Sequence, residues 1–168
     1  VILQRLEADG VDTSLISIVP GIPTGSAFVS YNDDGSRDFV YNIVHSAAAR
    51  FAGNDALAER FAAFGVSVLH VSGSVLASAE MCAAVLSVCK DLQSRGAEIS
   101  FDPNIRKELT GDGSYMSAVS QLMEMCSFFL PSEDDLEVLF PGESAGSCAA
   151  RMFTKKAEYF VLKRGGKG

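Results

Sequence analysis

The sequence predicts an α/β protein: a three-layer α/β/α core around a parallel sheet, with a small β hairpin near the N-terminus. Three observations point there. From residue 54 onward, segments of helical period alternate with short apolar runs of strand length. Each of those runs ends in a polar exit bearing glycine or proline. Before residue 46 the period is instead two, around the turn-forming Asn32-Asp33-Asp34-Gly35. Apolar strands joined by amphipathic helices bury both faces of a parallel sheet, with right-handed crossovers.

Residues 1–8 have helical spacing and stop at Gly10. Residues 14–19, 25–31 and 37–44 read as strands, the last two forming a hairpin about the Asn-Asp-Asp-Gly turn. Ala27, Val29 and Tyr31 alternate with Phe28 and Ser30, which lets one hairpin face pack while the other stays open. Asn54 is placed to cap a helix that carries Leu57, Phe61 and Phe64 inward and closes at Gly65. Residues 66–71 form the next strand. Ser78 caps a longer helix with Met81, Val85, Leu86 and Leu92 facing the core, ended by Arg95-Gly96, and residues 98–101 follow as a strand. A helix over residues 115–127 leads to a strand at 128–130, and a helix through residues 143–155 to a strand at 159–162.

A chain of 168 residues is the size of one domain or of part of a larger one. With 48% hydrophobic and 21% charged residues it is globular, which excludes disorder, collagen and disulfide scaffolds. Its 14 Lys and Arg against 21 Asp and Glu leave a charge of −7, so neither nucleic acid nor an anionic membrane is an expected partner. No apolar run approaches the roughly eighteen residues of a membrane span, and no signal segment opens the chain, so a cytoplasmic location is expected. Cys82, Cys89, Cys126 and Cys148 form no C-x-x-C pair and have only His45 and His70 to share a metal with, so they read as buried thiols in a reducing compartment. His70, inside an apolar strand, reads as a satisfied interior histidine. The opening in a helical stretch and the end straight after a strand suggest a piece of a longer protein.

Ligands of open parallel sheets bind outside the carboxyl ends of the strands. The exits here are His70-Val71-Ser72-Gly73-Ser74, Phe101-Asp102-Pro103-Asn104-Ile105-Arg106, Leu130-Pro131-Ser132-Glu133-Asp134-Asp135 and Val161-Leu162-Lys163-Arg164-Gly165-Gly166-Lys167-Gly168, and the topology predicts one shared rim. Ser72-Gly73 and Ser132 also serve as ordinary strand-to-helix punctuation, with Ser132 and Asp135 spaced as a capping box. Lys163 and Arg164 are either solvated charges or phosphate ligands beside glycines that permit close approach. Asp102, held by a proline turn, projects into the crevice. Arg106 either grips oxygens of a carboxylate, phosphate or sugar, or pairs locally with Asp102. Glu133, Asp134 and Asp135 favour a helix N-terminus whether or not they meet Mg²⁺.

At these residues the sequence resembles the ribokinase-like (PfkB) carbohydrate kinases, and most closely their 2-keto-3-deoxygluconate kinase and fructokinase-like branch. Gly10-Val11-Asp12-Thr13 resembles the segment after the family's early helix. Thr24-Gly25, Gly35-Ser36-Arg37 and Ser46-Ala47-Ala48 resemble its β lid and lid exit, and the four strand exits follow in the family's order, D-P-N-x-R being the most specific. The resemblance implies one incomplete kinase domain over 1–168, with a β lid and its connections at about 14–46 and an α/β core at about 54–168. It implies transfer of the γ-phosphoryl group of ATP, with Mg²⁺, to a sugar hydroxyl. Carried over by position, Ser72, Gly73, Ser74 and Arg106 would bind the sugar. Asp102, Asn104, Ser132, Lys163 and Gly165 would serve the nucleotide phosphates, and Asp135 an indirect Mg²⁺ role. Ser132 and Asp135 stand where the family carries the Asn and Glu of N-x-x-E.

Other departures bear on substrate. Ile43 stands where ketodeoxygluconate kinases carry a lid-exit arginine, and Ala27, with Phe28 beside it, where the family has an aromatic residue. A neutral ketohexose such as fructose or tagatose therefore stands beside 2-keto-3-deoxygluconate as the implied substrate. The family's opening sugar-binding strand is expected before Val1, and its G-A-G-D anion hole with the catalytic aspartate after Gly168. No catalytic base is assigned within the chain, and the 168 residues alone are expected to show negligible turnover. The rival reading is a non-catalytic sugar-binding or dimerising homologue. A dinucleotide oxidoreductase is disfavoured because no G-x-G-x-x-G opens a helix. By analogy with relatives, a homodimer through the lid is expected, with Val29, Phe39 and Tyr41 as contact candidates.

Overall fold

A computed structural model of the chain describes residues 2–33, 37–43, 45–50, 55–106, 109–111 and 113–167. The chain divides into two compact units, residues 1–50 and 51–168.

The first unit opens with α1 (Ile2–Ala8), which ends where Gly10 takes φ +79°, a conformation that suits glycine. Strands β1 (Ser26–Tyr31) and β2 (Arg37–Asn42) pair antiparallel, with Phe28 opposite Val40 and Val29 opposite Phe39. The hairpin stem is tied where Ala47 N donates to Pro23 O at 2.8 Å, beside the buried Ser46. Half of the expected turn, Asp34 and Gly35, lies outside the described residues. Two expectations are corrected here. Residues 14–19 form no strand: Ser14 N donates to Asp12 Oδ1 and Ile16 N to Thr13 O, a local turn that spends the amides a ladder would need. And all six residues of β1 are exposed, so its alternation marks no buried face among them.

The second unit holds a four-stranded parallel sheet in the order β3 (Val68–Ser72), β4 (Glu98–Asp102), β5 (Phe128–Phe129), β6 (Tyr159–Phe160). The helices between them are α2 (Asp55–Ala63), α3 (Ala79–Ser94), α4 (Gly113–Met125), α5 (Glu133–Leu139) and α6 (Ala145–Phe153). Ile99, Ser100 and Phe101 are consecutive and all buried; since neighbours on a strand face opposite ways, both sheet faces are covered at β4. Their core partners include Leu86 and Cys89 of α3, Val119 and Leu122 of α4, and Phe129 of β5.

Ser78 caps α3 by accepting from Met81 N, and Met81, Val85, Leu86 and Leu92 are buried as the spacing predicts. The expected capping by Asn54 lies outside the described residues. Phe64 differs from expectation: it follows the last helical residue and is half exposed. His70 is also corrected. β3 is an edge strand, so the ring is exposed, and its Nδ1 meets Ser100 Oγ at 3.0 Å. The expected helix at 143–155 is α6, and α5 precedes it, the two separated at Phe140-Pro141-Gly142, where Gly142 takes φ +75°. None of the four cysteines is in a disulfide, and all are buried. Burial pushes the Cys89 and Cys126 thiols up to about 12, since a thiolate there would be desolvated. Among the described residues no helix is long and apolar enough to cross a membrane.

Candidate functional site

The carboxyl ends of the four strands meet on one rim, and side chains tie each exit to the next. Asn104 Nδ2 donates to Ser72 Oγ at 3.1 Å, joining the exits of β3 and β4. Ile105 N donates to Asp135 Oδ1 at 2.7 Å, joining the exit of β4 to α5 beyond β5. Lys163 Nζ donates to Asp102 Oδ2 at 2.6 Å, reaching from beyond β6 back to β4. The ladder itself runs on past the strands, with Leu130 N to Phe101 O, Lys163 N to Pro131 O and a parallel bridge between Ser132 and Lys163.

Gly73 sits where β3 passes closest to β4. A Cβ there would lie 1.8 Å from the carbonyl oxygen of Pro103, so only glycine fits. Its neighbour Ser74 bonds Ser72, with 3.0 Å between their Oγ atoms. The β4 exit is held from outside the ladder. Three successive amides donate to side-chain oxygens: Asn104 N to Asp102 Oδ1, Ile105 N to Asp135 Oδ1, and Arg106 N to Tyr115 Oη. Asn104 takes φ +39°, which asparagine tolerates better than most residues. Tyr115 is fully buried, and burial raises its phenol above the usual range, so the group stays neutral.

Every expected site residue except Gly165 thus takes part in one connected rim, and Gly165 begins a short helical turn, Gly165–Lys167, two residues after Lys163. Asp102 forms an ion pair with Lys163, from beyond the local reach that sequence spacing offered. Ser132 and Asp135 form a complete capping box on α5. Glu133 lies 3.5 Å from Arg164, so it too faces a cation. Sequence reasoning missed the supporting role of Tyr115. A tyrosine in the first turn of an otherwise apolar helix face was the one available signal, since a buried hydroxyl needs a partner.

Three cations stand at the rim, Lys163, Arg106 and Arg164, with Lys163 paired to Asp102 and Arg164 facing Glu133. Asp102 is engaged by Lys163 and the Asn104 amide, Glu133 faces Arg164, and Asp135 is held by Ser132 and the Ile105 amide. Among the described residues no group of three or more His, Cys, Asp or Glu side chains could hold a metal. The arrangement suits an anion with several oxygens, which a lysine and arginines grip with charge-assisted hydrogen bonds.

The model for the pfkB family carbohydrate kinases matches residues 1–168. The chain belongs to that family. Among curated relatives, the 2-dehydro-3-deoxygluconokinase of Bacillus subtilis is 33% identical over 169 residues, covering 99% of this chain and 51% of its own. The fructokinase of Vibrio alginolyticus is 26% identical over 97% of this chain and 52% of its own. A protein assigned as Ribokinase II from E. coli, solved in complex with ATP and Mg²⁺, superposes with a TM-score of 0.84 at 33% identity, over 99% of this chain and 52% of that one. The fructokinase of Halothermothrix orenii, at 21% identity and a TM-score of 0.80, shares the fold. This pfkB chain therefore spans about half the length of the curated relatives it matches. The expected three-layer ribokinase-like core with its small hairpin is the fold these kinases share.

Proposed function

We propose that the protein carrying this chain transfers the γ-phosphoryl group of ATP to a hydroxyl of a sugar or sugar acid, either 2-keto-3-deoxygluconate or a ketohexose such as fructose or tagatose. The observation that carries the reading is the Lys163 ammonium at the strand exits, 2.6 Å from Asp102, on a backbone that pairs with Ser132 of the neighbouring exit. A lysine so placed has donors to spare for a phosphate. On this reading Lys163, Asp102, Asn104, Ser132 and Gly165 serve the phosphates, while Ser72, Gly73, Ser74 and Arg106 serve the sugar. The names of the relatives support the substrate class, and the ATP and Mg²⁺ bound in the E. coli protein support the donor.

Mg²⁺ bound with ATP would spread the charge of the phosphate oxygens. The side chains of this rim fit the phosphates better than the ion, because Asp102, Glu133 and Asp135 already have partners. This chain's contribution is to orient the two substrates and to neutralise phosphate charge with Lys163. The exposed hairpin faces support a homodimer through β1 and β2, and four cysteines outside any disulfide support a cytoplasmic location. A coupled ADP-release assay of the complete protein against ketoses, aldoses and ketodeoxy acids tests the proposal. ADP release that depends on one sugar class is expected; none above background with any of them overturns it.

A further inference from the structure

Asp135 stands apart from the other carboxylates of the rim. It is 3% exposed, whereas Glu133 and Asp134 beside it are exposed. Its Oδ2 accepts from Ser132 N and from Ser132 Oγ, both at 2.7 Å, and its Oδ1 accepts from Ile105 N at 2.7 Å. Ser132 Oγ in turn accepts from Asp135 N at 3.1 Å. A carboxylate has about four acceptor positions, so protein donors fill most of this one. Mg²⁺ needs near-octahedral oxygen ligands and keeps several waters, which a buried and internally bonded carboxylate does not serve.

The Ile105 contact is the informative one, because it is not part of the helix cap. It crosses thirty residues of sequence to the segment between Asp102 and Arg106, where Asn104 sits at positive φ. A residue in that conformation persists only where neighbours over-determine it. The neighbours are Asp102 before it, Ser72 across from it, and Asp135 on the following amide. Releasing the Ile105 amide frees the turn that aims Asp102 at Lys163 and Asn104 at Ser72.

We propose that Asp135 is a positioning residue that acts through this turn and takes no part in holding Mg²⁺. The inference rests on the kinase reading above. It assigns this carboxylate to the backbone of the β4 exit and leaves the metal to the phosphates and water.

The test measures ATP binding to the complete protein by calorimetry, once with Mg²⁺ and once in EDTA, for the unmodified protein and Asp135→Asn. Asparagine puts a donor where an amide needs an acceptor. The expected result is a loss of ATP affinity of about tenfold that is the same with and without Mg²⁺. A loss confined to the Mg²⁺ titration would return Asp135 to the metal and overturn the proposal. Unchanged affinity in both, with only a lower Tm, would make it a mere helix cap and also overturn it. Asp135→Glu keeps the charge but displaces both oxygens by a methylene, and gives the same Mg²⁺-independent loss if the asparagine variant does not fold. Absence of ATP binding in the unmodified protein would sink the kinase reading and this inference together. Binding with a Mg²⁺-restricted loss sinks the inference alone.

Discussion

Asp102 and Lys163 lie sixty-one residues apart in the chain and 2.6 Å apart in space. Asp102 leaves β4 with one oxygen held by the amide of Asn104, which turns the other toward the far side of the sheet, where Lys163 follows β6. β5 lies between the two strands, so the pair spans it. An ammonium held by one carboxylate oxygen keeps further donors for an incoming anion.

Lys163→Met should leave the fold nearly unchanged. The pair's side chains are 41% and 20% exposed, and partly solvated pairs of this kind contribute about 1 kcal/mol or less. ATP affinity should fall about ten- to a hundredfold, the worth of one or two charge-assisted hydrogen bonds. Calorimetric titration of the complete protein checks this; native affinity in the variant would remove Lys163 from the phosphate site.

Gly73→Ala should be among the most damaging small substitutions in the chain. The added methyl meets the Pro103 carbonyl oxygen at 1.8 Å, and that backbone is bracketed on both sides. Overpacking of this kind costs about 3 kcal/mol or more. Thermal unfolding should show a Tm lower by many degrees, and a native Tm would mean that the exits of β3 and β4 are not in contact.

Tyr115→Phe removes the acceptor for the Arg106 amide and leaves the ring in place. An unsatisfied amide costs about 1–3 kcal/mol. Urea unfolding should register that loss. Because Arg106 is assigned to the sugar, KM for the sugar should rise severalfold with KM for ATP unchanged; equal changes in both would reassign Arg106.

The buried thiols make an alkaline prediction with a definite sign. Cys89 and Cys126 have values near 12 in the folded chain against an ordinary 9, so over pH 9 to 12 the unfolded chain loses protons that the folded chain keeps. Stability is therefore full below pH 9 and declines above it, by up to about 1.4 kcal/mol per pH unit for each group. Urea midpoints measured from pH 8 to 10.5 should fall, and fall less steeply in Cys89→Ala. At pH 8 both thiols should resist iodoacetamide until the protein is unfolded.

The hairpin predicts an assembly. Phe28, Val29, Tyr31 and Val40 are 67, 41, 73 and 68% exposed, an apolar surface open to solvent. Val29→Glu should convert a dimer of the complete protein to monomer in sedimentation velocity. A monomer in the unmodified protein at tens of micromolar would end the proposal.

Local chemistry made much of this legible in advance. Ser78, the inward Met81, Val85, Leu86 and Leu92 of α3 and Arg95-Gly96 specify one helix without help from elsewhere, because a cap, an amphipathic face and a stop act within a few residues. The β4 exit was recognisable for the same reason, since Asp-Pro-Asn dictates a turn wherever it occurs. Residues 14–19 misled because β propensity forms a strand only where another strand supplies its ladder, and here an Asx turn took the amides first. His70 misled because an edge strand exposes residues that a central strand would bury.

By itself, then, the sequence determined the alternation of helices and strands, the caps, and the four polar exits, all of which follow from interactions between near neighbours along the chain. Only the tertiary structure decided which exits touch: that Asp102 meets Lys163, that Asp135 turns inward to Ile105, and that Gly73 must make room for Pro103. Those pairings depend on strand order and on the reach of individual side chains across the sheet, quantities set by packing the whole core at once and carried by no local run of residues.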